Sequence, residues 1–317
     1  MIILSDRKIG IHRKKGKMKM RIETARLIIT EFRADMAEEV HRNSLDEDTR
    51  RFTPDEVFLT IGEAEETIRH LIRLYEGQNG PLVYPVLRKD GVCVGYVQAV
   101  KFDDGQWEIG YHIGSRYTRK GYATEAVRAF LPVIMKKIGI TRIKGICLRD
   151  NLASIKVLER SGFIRTYEGE GLYQGTKQEI CAFTYCLSPK EVVSRFFEEG
   201  YERRNYDFIL HCLSERYVDH SPAAARSNLD AVGILKIVAE QFSDLRVTIS
   251  DLFSEGNKVA TRVLYEGIHT GICMGIPPTG KRIAFEALEN FKVEEGIITE
   301  SWGYWPDKEI EQKLSEK

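Results

Sequence analysis

Neither sign of charge dominates this sequence, and its apolar runs are short. The 317 residues include 47 Lys and Arg against 47 Asp and Glu, so the formal net charge is zero. A domain that neutralises nucleic-acid phosphates usually carries a basic excess, so this balance argues against a nucleic-acid partner. No apolar run approaches the roughly 20 residues that cross a bilayer, and we therefore expect no membrane partner.

The six cysteines are scattered along the chain and show no C-x-x-C spacing. Because zinc sites and disulfide frameworks use recurring cysteine spacings, the sequence predicts no metal site and reduced thiols. Residues 1–4 are apolar, but charged residues follow them directly, which is not the pattern of a secretory signal. We therefore expect a cytoplasmic protein.

Charge is distributed unevenly along the chain. Residues 1–20 carry seven basic side chains and one acidic one, residues 21–188 carry 24 of each, and residues 189–317 carry 16 basic and 22 acidic. The basic segment 1–20 is expected to be a solvated, disordered extension, with binding to an anionic surface as the alternative. The candidate translation starts are Met1, Met18 and Met20.

A helix start marks the boundary between two domains. Ser188 is a suitable helix cap, Pro189 suits the first helical position, and Glu191 completes a capping box. An amphipathic stripe follows, and the balance of charge changes sign at the same point. We predict a first domain over 21–188 and a second domain over 189–317.

The first domain alternates between two kinds of apolar pattern. Alternation with period two predicts strands, and the helical period predicts helices. Strands are predicted at 26–32, 83–88, 92–102, 107–113, 142–148 and 179–186. Helices are predicted at 35–43, 62–75, 123–138 and 153–161. This order indicates a mixed α/β sheet with helices on both faces.

The second domain separates its helices from its strands. Helices are predicted at 190–203, 206–214 and 228–242, and long strands at 245–254, 257–269, 281–294 and 297–305. Such segregation is typical of an α+β domain, here with a curved antiparallel sheet.

Residues 108–126 have the pattern of a strand, a basic glycine-containing turn and a long helix. Backbone amides without helical partners point outward at a helix start, and the helix dipole favours negative charge there. Gly121 permits close approach of a ligand to the backbone, and Arg119 and Lys120 add positive charge. The segment therefore predicts an anion-binding turn, with an ordinary basic loop as the alternative.

A second segment, 151–163, begins with Asn151 directly after a predicted strand. Together with the turn and with the opening Glu23-Thr24-Ala25-Arg26-Leu27, it resembles the GNAT acetyltransferase superfamily, in particular the branch of ribosomal-protein N-acetyltransferases. The resemblance covers about 21–187 and implies a mixed α/β GNAT fold that uses acetyl-CoA as co-substrate.

The resemblance also implies how acetyl-CoA is bound. The turn 118–124 would hold its pyrophosphate through backbone amides, and the strand end 111–113 would pair with its pantetheine arm, with the amide of Ile113 polarising the thioester carbonyl. Asn151 and Ser154 would lie beside the arm. The implied contacts are Tyr111, His112, Ile113, Thr118, Arg119, Lys120, Gly121, Tyr122, Ala123, Thr124, Asn151 and Ser154.

Acetyl transfer to an amine needs a proton acceptor, because an amine in water is mostly protonated. Glu108 is the candidate for this role through a water molecule, with a solvated strand carboxylate as the alternative. In many members of the superfamily, a tyrosine seven residues after the asparagine acts as the acid that protonates the leaving thiolate. This chain has Leu158 at that position. Ser154 or water would then protonate the leaving thiolate, unless no acid is needed. Asn151 also suits a plain helix cap, and His112 suits a structural role.

Glu289 is the carboxylate of interest in the second domain. Strand alternation places it on a face with Ile283, Phe285, Ala287, Phe291 and Val293. Burial there would raise its pKa toward neutrality, whereas a position at a sheet edge would leave it solvated. We expect a pocket lined by His220, Glu289, Glu300 and Trp302.

The second domain resembles the SnoaL-like polyketide cyclase and ester cyclase group. The residues that carry the resemblance are Val218-Asp219-His220 and the segments 275–281 and 294–302. It implies a cone of the nuclear-transport-factor-like type, which in the cyclases uses an acidic residue for proton transfer beside a carbonyl group. Glu289 and Asp307 are both candidates for that residue.

The sequence thus favours an acetyl-CoA-dependent N-acetyltransferase that acts on a primary amine, either a protein N-terminus or a small molecule. The second domain would bind a small molecule or form a homodimer. Two alternatives stay open: a bifunctional protein whose second domain catalyses cofactor-free proton transfer, and an acyl-CoA-binding protein without turnover.

Overall fold

The computed structural model describes residues 20–75, 77 and 80–316. The predicted basic extension, apart from Met20, lies outside the described residues, as does Met18. The chain divides into two compact units. One contains the residues up to Ile138 together with Ile143–Tyr185, and the other contains Gly139–Arg142 and the chain from Cys186 onward.

The first unit contains an eight-stranded sheet in the order β1-β2-β3-β4-β5-β6-β8-β7. Its strands are β1 (Arg21–Glu23), β2 (Leu27–Thr30), β3 (Leu82–Arg88), β4 (Cys93–Lys101), β5 (Trp107–Ile113), β6 (Arg142–Leu148), β7 (Ile164–Tyr173) and β8 (Thr176–Cys186). Strands β1 to β5 are paired antiparallel in sequence order, whereas β5 and β6 are parallel.

Helices cover both faces of this sheet, as predicted. They are α1 (Ala37–Ser44), α2 (Glu47–Phe52), α3 (Ile61–Leu74), α4 (Tyr122–Lys137) and α5 (Leu152–Arg160), with 3-10 turns at Ala34–Met36, Pro54–Glu56 and Ser115–Tyr117. On one face, Val83 and Leu87 of β3 belong to the same apolar cluster as Ile68 of α3. On the other face, the Tyr84 ring lies 5.6 Å from the Phe130 ring of α4.

Three elements of the first unit were not predicted: the three-residue strand β1, helix α2 and strand β7. Helix α2 is only six residues long, and Thr49 is its one buried residue, so it has no apolar period to detect. Strand β7 lies at the sheet edge with most of its side chains exposed. An edge strand of this kind has no buried face to impose alternation on its sequence.

The second unit combines helices with a five-stranded sheet in the order β10-β11-β12-β13-β9. The helices are α6 (Pro189–Phe197), which continues into a π-helical turn (Glu198–Glu202), α7 (Tyr206–Cys212), α8 (Asn228–Gln241) and α9 (Asp307–Ser315). The strands are β9 (Leu213–Asp219), β10 (Phe242–Glu255), β11 (Lys258–His269), β12 (Arg282–Glu294) and β13 (Ile297–Tyr304). The capping box of Ser188 and Glu191 is present at the start of α6.

One sheet face of the second unit is covered by helices. The alternate residues of β12 from Ile283 to Val293, Glu289 included, are buried as predicted. Phe196 and Phe197 of α6 pack their rings 5.6 Å from that of Phe291. This arrangement matches the predicted α+β domain.

The four predicted strands, β10 to β13, pair antiparallel as expected, and a fifth strand that was not predicted, β9, pairs with β13 in parallel. The helix predicted to end at residue 214 ends at Cys212, and the chain enters β9 without a turn. Helix α9 was also missed. Among residues 20–75, 77 and 80–316, no helix has the length and apolar character of a membrane span.

Candidate functional site

Strands β5 and β6 separate along their length and leave a gap in the sheet of the first unit. Each strand has seven residues, but within the described chain they form one register pair, Glu108 with Lys144. Beyond this pair, toward Ile113, the two strands are no longer joined. The gap therefore opens directly after Glu108.

Backbone amides of β5 line this gap. Hydrogen bonds from Gly114 N to Val94 O (2.9 Å) and from Phe102 N to Gln106 O (2.8 Å) fix which residues of β5 face β4. Because successive amides of a strand alternate in direction, those of Tyr111 and Ile113 point away from β4, toward the gap. These amides are suitably placed for an extended ligand that adds to the strand edge.

The predicted anion-binding turn follows β5 and leads into α4. Arg119 and Gly121 both adopt left-handed backbone conformations, with φ of 61° and 78°. Gly121 is the residue before the first turn of α4, so the amides that follow it, including those of Tyr122 and Ala123, have no partner inside the helix. Thr118 instead donates its hydroxyl to Ser115 O at 2.8 Å, which stabilises the turn from within.

Arg26 joins this turn to α4 through hydrogen bonds. Its Nη1 donates to Lys120 O at 2.9 Å, and its Nε donates to Glu125 Oε2 at 2.7 Å. The guanidinium also lies 4.8 Å from the centre of the Tyr122 ring, and Thr24 Oγ1 donates to Glu125 Oε1 at 2.6 Å. Although burial opposes ionisation, the bonds from Thr24 and Arg26 lower the pKa of Glu125. Sequence reasoning had noted Thr24 and Arg26 only as part of a resemblance.

The start of α5 brings together three of the predicted residues. Asn151 caps the helix by accepting from Ser154 N at 3.0 Å. Ser154 Oγ lies 2.8 Å from the Tyr111 hydroxyl, which also donates to Ser154 O at 3.1 Å. Burial raises the pKa of Tyr111 far above its usual value, so its hydroxyl stays protonated. Leu158, at the position of the superfamily's tyrosine, is buried in the core.

Glu108 lies at the point where the gap opens. It is partly buried rather than solvated, and its Oε1 accepts from Ile146 N on β6 at 3.2 Å. Burial raises the pKa of Glu108 to about 7, although that hydrogen bond and the charge of Lys144 oppose the shift. A carboxylate of this kind can accept a proton near neutral pH.

Glu56 is a second carboxylate, in contact with β4 of the same sheet, and it was not predicted from the sequence. It ends the 3-10 turn Pro54–Glu56 and accepts hydrogen bonds from Tyr96 Oη and from Gln98 Nε2, the latter at 3.3 Å. Burial and the neighbouring Asp55 raise the pKa of Glu56 to about 7, and the charge of His112 opposes them. Glu56 follows a polar segment without periodicity, so the sequence contained no signal for its burial.

Tyr173 lies at the tip of the β7–β8 hairpin. Burial raises its pKa most, and the negative charges of Glu108 and Glu56 raise it further. Its hydroxyl donates to Phe52 O at 3.0 Å, and the neighbouring Gln174 donates to Asp55 Oδ1 at 2.6 Å. The hairpin tip thus contacts the segment that carries Glu56.

His112 has partners outside the gap. Its Nε2 lies 2.8 Å from Thr49 Oγ1, and its ring lies 5.7 Å from that of Tyr96. Asp46, which caps α2, accepts from Thr49 N at 2.9 Å and from Ser115 N at 2.8 Å. The histidine side chain therefore connects β5 to α2, which favours the structural role considered for it above.

In the second unit, Glu289 is buried within the sheet and is only 6% exposed. Tyr265 Oη donates to its Oε1 at 2.6 Å, and Trp305 Nε1 donates to the same atom at 3.3 Å. Burial raises the pKa of Glu289 to about 7, although these two hydrogen bonds oppose the shift. The Phe285 ring stacks on that of Tyr265 at 5.3 Å, and the Tyr201 ring meets it edge-on at 5.2 Å. Glu289 is thus a buried carboxylate in an aromatic environment.

Two further residues lie close to Glu289. The charge of Asp219, at the end of β9, contributes to raising the pKa of Glu289. Gly303 sits beside the carboxyl group, since a Cβ at this position would lie 4.0 Å from the Glu289 Cδ. The alternative candidate, Asp307, is exposed at the start of α9.

The structure does not bring the four predicted pocket residues together. A register shift between Ile298 and Glu300 breaks the alternation that the prediction assumed. Trp302 is paired with the exposed Asn290, and His220 stacks on Trp302 at 4.7 Å while its Nε2 contacts Glu300 Oε2 at 2.9 Å. These three side chains form their own group, on the sheet face opposite Glu289.

Comparison with known proteins gives a family match for each unit. The model of the acetyltransferase (GNAT) domain matches residues 26–164, and that of the SnoaL-like polyketide cyclases matches residues 191–314. An uncharacterised N-acetyltransferase of Bacillus subtilis, YnaD, is 29% identical over 46% of this chain and 84% of its own length.

Two solved structures are similar to one unit each. A GNAT-family acetyltransferase from Bacillus anthracis is 26% identical, covers 53% of this chain and 98% of its own, and has a TM-score of 0.45. A putative SnoaL-like polyketide cyclase from Jannaschia is 20% identical, covers 41% of this chain and 92% of its own, and has a TM-score of 0.39. Within the described residues, no three or more His, Cys, Asp and Glu side chains are arranged to hold a metal ion.

Proposed function

We propose that this chain transfers the acetyl group of acetyl-CoA to a primary amine, because residues 26–164 match the model of the GNAT acetyltransferase domain and residues 191–314 match that of the SnoaL-like polyketide cyclases. One observation carries the proposal: Glu108 lies where β5 and β6 separate. The amides of Tyr111 and Ile113 face the same gap. A proton acceptor and hydrogen-bond donors thus lie along one strand.

The residues present fit acetyl-CoA. The amides after Gly121 would hold its pyrophosphate, since a helix start favours anions and Arg119 and Lys120 add positive charge. The edge of β5 at Tyr111 and Ile113 would bind its extended arm, with Asn151 and Ser154 beside it. Acetyl-CoA supplies the acetyl group as a thioester.

Glu108 takes the proton from the incoming ammonium group through a water molecule. The amide of Ile113 donates to the carbonyl oxygen as negative charge develops there. Ser154 and Tyr111 form a hydroxyl pair near the site of the leaving sulfur, and either Ser154 or water returns a proton to it. The nitrogen thereby gains the acetyl group, and the sulfur leaves as a thiol.

Glu289 supports a second activity in the SnoaL-like domain. A buried carboxylate whose pKa is about 7 suits cofactor-free proton transfer beside a carbonyl group. A domain that only binds a small molecule, or that forms a homodimer, is the alternative. Glu289→Gln separates them, because it should abolish turnover of a carbonyl substrate without affecting acetyl transfer.

The deciding experiment measures the binding of acetyl-CoA to the full chain by calorimetry, and thiol release with a panel of amines. Gly121→Glu should weaken binding sharply, because it places bulk and negative charge beside the pyrophosphate. Gly105→Glu is the matched control: it has a similar φ of 82°, open surroundings and a position in the β4–β5 turn.

Each result decides one part of the proposal. Equal affinities of wild type and Gly121→Glu for acetyl-CoA would refute the assignment of the turn as the pyrophosphate site. Binding without acetylation of any amine, protein N-termini included, would instead identify an acyl-CoA-binding protein.

A further inference from the structure

Glu56 gives the acceptor side of the site a second carboxylate. Tyr96 and Gln98 fix its two oxygens against β4, so its orientation is set before an acceptor arrives. Gly110 on β5 leaves room for this arrangement, because a Cβ there would lie only 2.6 Å from Gln98 Nε2. Glu56 itself remains partly exposed and can be reached by a ligand.

The two carboxylates have little opposing charge around them. Among the described residues, neither Glu56 nor Glu108 forms an ion pair with a lysine or arginine within 4.0 Å. The electrostatic interactions that lower their pKa come from His112 for Glu56 and from Lys144 for Glu108. Carboxylates in a partly desolvated site favour a cationic ligand, because water no longer screens them fully.

We propose that Glu56 binds a second positive charge of the acceptor, so that the preferred acceptor is a small aliphatic diamine. This inference rests on the proposed acetyl transfer. The amine that reacts must lose its proton and its charge, and Glu108 at the gap serves that step. Glu56 lies beside β4, so a cation bound there keeps its charge before and after transfer.

The hairpin tip favours a small acceptor. Tyr173 and Gln174 are hydrogen-bonded to Phe52 and Asp55, so the tip lies against the segment that carries Glu56, which stays only partly exposed. Transfer forms one N–C bond and breaks the C–S bond. The reacting ammonium group loses two protons: the first passes through water to Glu108, and the second leaves the nitrogen after attack and reaches the sulfur through Ser154 or water, so that the sulfur leaves as a thiol. The second ammonium group takes no part in this exchange.

The test compares putrescine with butylamine, which has the same carbon chain but one amino group. Thiol release from acetyl-CoA gives kcat/KM for each amine with the full chain, and calorimetry gives the affinity for putrescine. Wild type should prefer putrescine by about tenfold or more, as expected for one added charge pair in a partly buried site. Glu56→Gln should remove this preference, mainly through a higher KM for putrescine.

Glu66→Gln is the matched control, since Glu66 is an exposed carboxylate on α3 and should leave both amines unaffected. Equal use of both amines by wild type, or an equal loss for both in Glu56→Gln, would overturn the inference and leave acetyl transfer intact. Putrescine binding that depends on Glu56 without turnover would support the role of Glu56 and refute the proposed function. Acetylation of protein N-termini alone would refute the proposal that the acceptor is a diamine.

Discussion

Replacing Glu108 with glutamine tests the proposed proton acceptor directly. The substitution keeps the shape of the side chain, and the glutamine oxygen can still accept from Ile146 N. It removes only the capacity to ionise. The position of β6, and with it the gap that would receive the acetyl-CoA arm, should therefore stay as it is.

The structure gives the expected size and pH dependence of the effect. Because the pKa of Glu108 is raised to about 7, the ionised fraction rises from about one-tenth at pH 6 to about nine-tenths at pH 8. The wild-type rate should follow this rise. A positioned proton acceptor contributes about a hundredfold or more, so Glu108→Gln should lose about that much at pH 8. The loss should be smaller at pH 6, where the wild-type group is mostly protonated.

The assay is the pH dependence of kcat/KM for an amine of the panel, measured by thiol release between about pH 5.5 and 9. Calorimetry with acetyl-CoA serves as the control, because affinity should be the same in wild type and variant. A variant that keeps both the wild-type rate and the inflection near pH 7 would refute the reasoning. A variant that loses acetyl-CoA affinity would show instead that Glu108 has a structural role.

Two further substitutions test the surroundings of the sites. Arg26→Ala should raise KM for acetyl-CoA several-fold without changing KM for the amine, because Arg26 holds Lys120 O and Glu125 in place. Replacement of the exposed Arg33 by alanine is the control. Equal effects of the two variants would contradict the positioning role of Arg26. Because the pKa of Glu289 is raised, folding favours its protonated form, and the stability of the wild type falls as the pH rises from about 4.5 to 7. Glu289→Gln removes this ionisation and should therefore stabilise the chain at pH 8 by up to about 3 kcal/mol. The gain should vanish below pH 4.5, and urea unfolding followed by tryptophan fluorescence measures it; a pH-independent difference would contradict the cause.

The elements that the sequence predicts correctly are those with a buried face. Strand β12 is an example, because its alternation identifies Glu289 as a carboxylate on an apolar surface, and the structure buries it. The helix cap at Asn151 is another, since its signal lies within four residues. Both features depend on local sequence alone.

The errors arise where tertiary contacts decide. A register shift in β13 moved Glu300 and Trp302 to the face opposite Glu289, and alternation does not reveal such a shift. Glu56 becomes partly buried through its contacts with Tyr96 and Gln98, which are about 40 residues away in sequence. The parallel pairing of β9 with β13 likewise joins distant segments, so no short-range pattern announces it.

Two hydrogen bonds join the β7–β8 hairpin tip to the segment that carries Glu56, and they bear on how the choice of acceptor can change. The residues that form them are Phe52, Asp55, Tyr173 and Gln174, and none of these belongs to the elements that would hold acetyl-CoA. Under the proposed function, two short, surface-facing stretches can therefore be exchanged to accommodate a different amine without changing the residues that would hold acetyl-CoA. Acceptor choice and acyl-donor recognition would then be separable, and libraries confined to these two stretches test this directly.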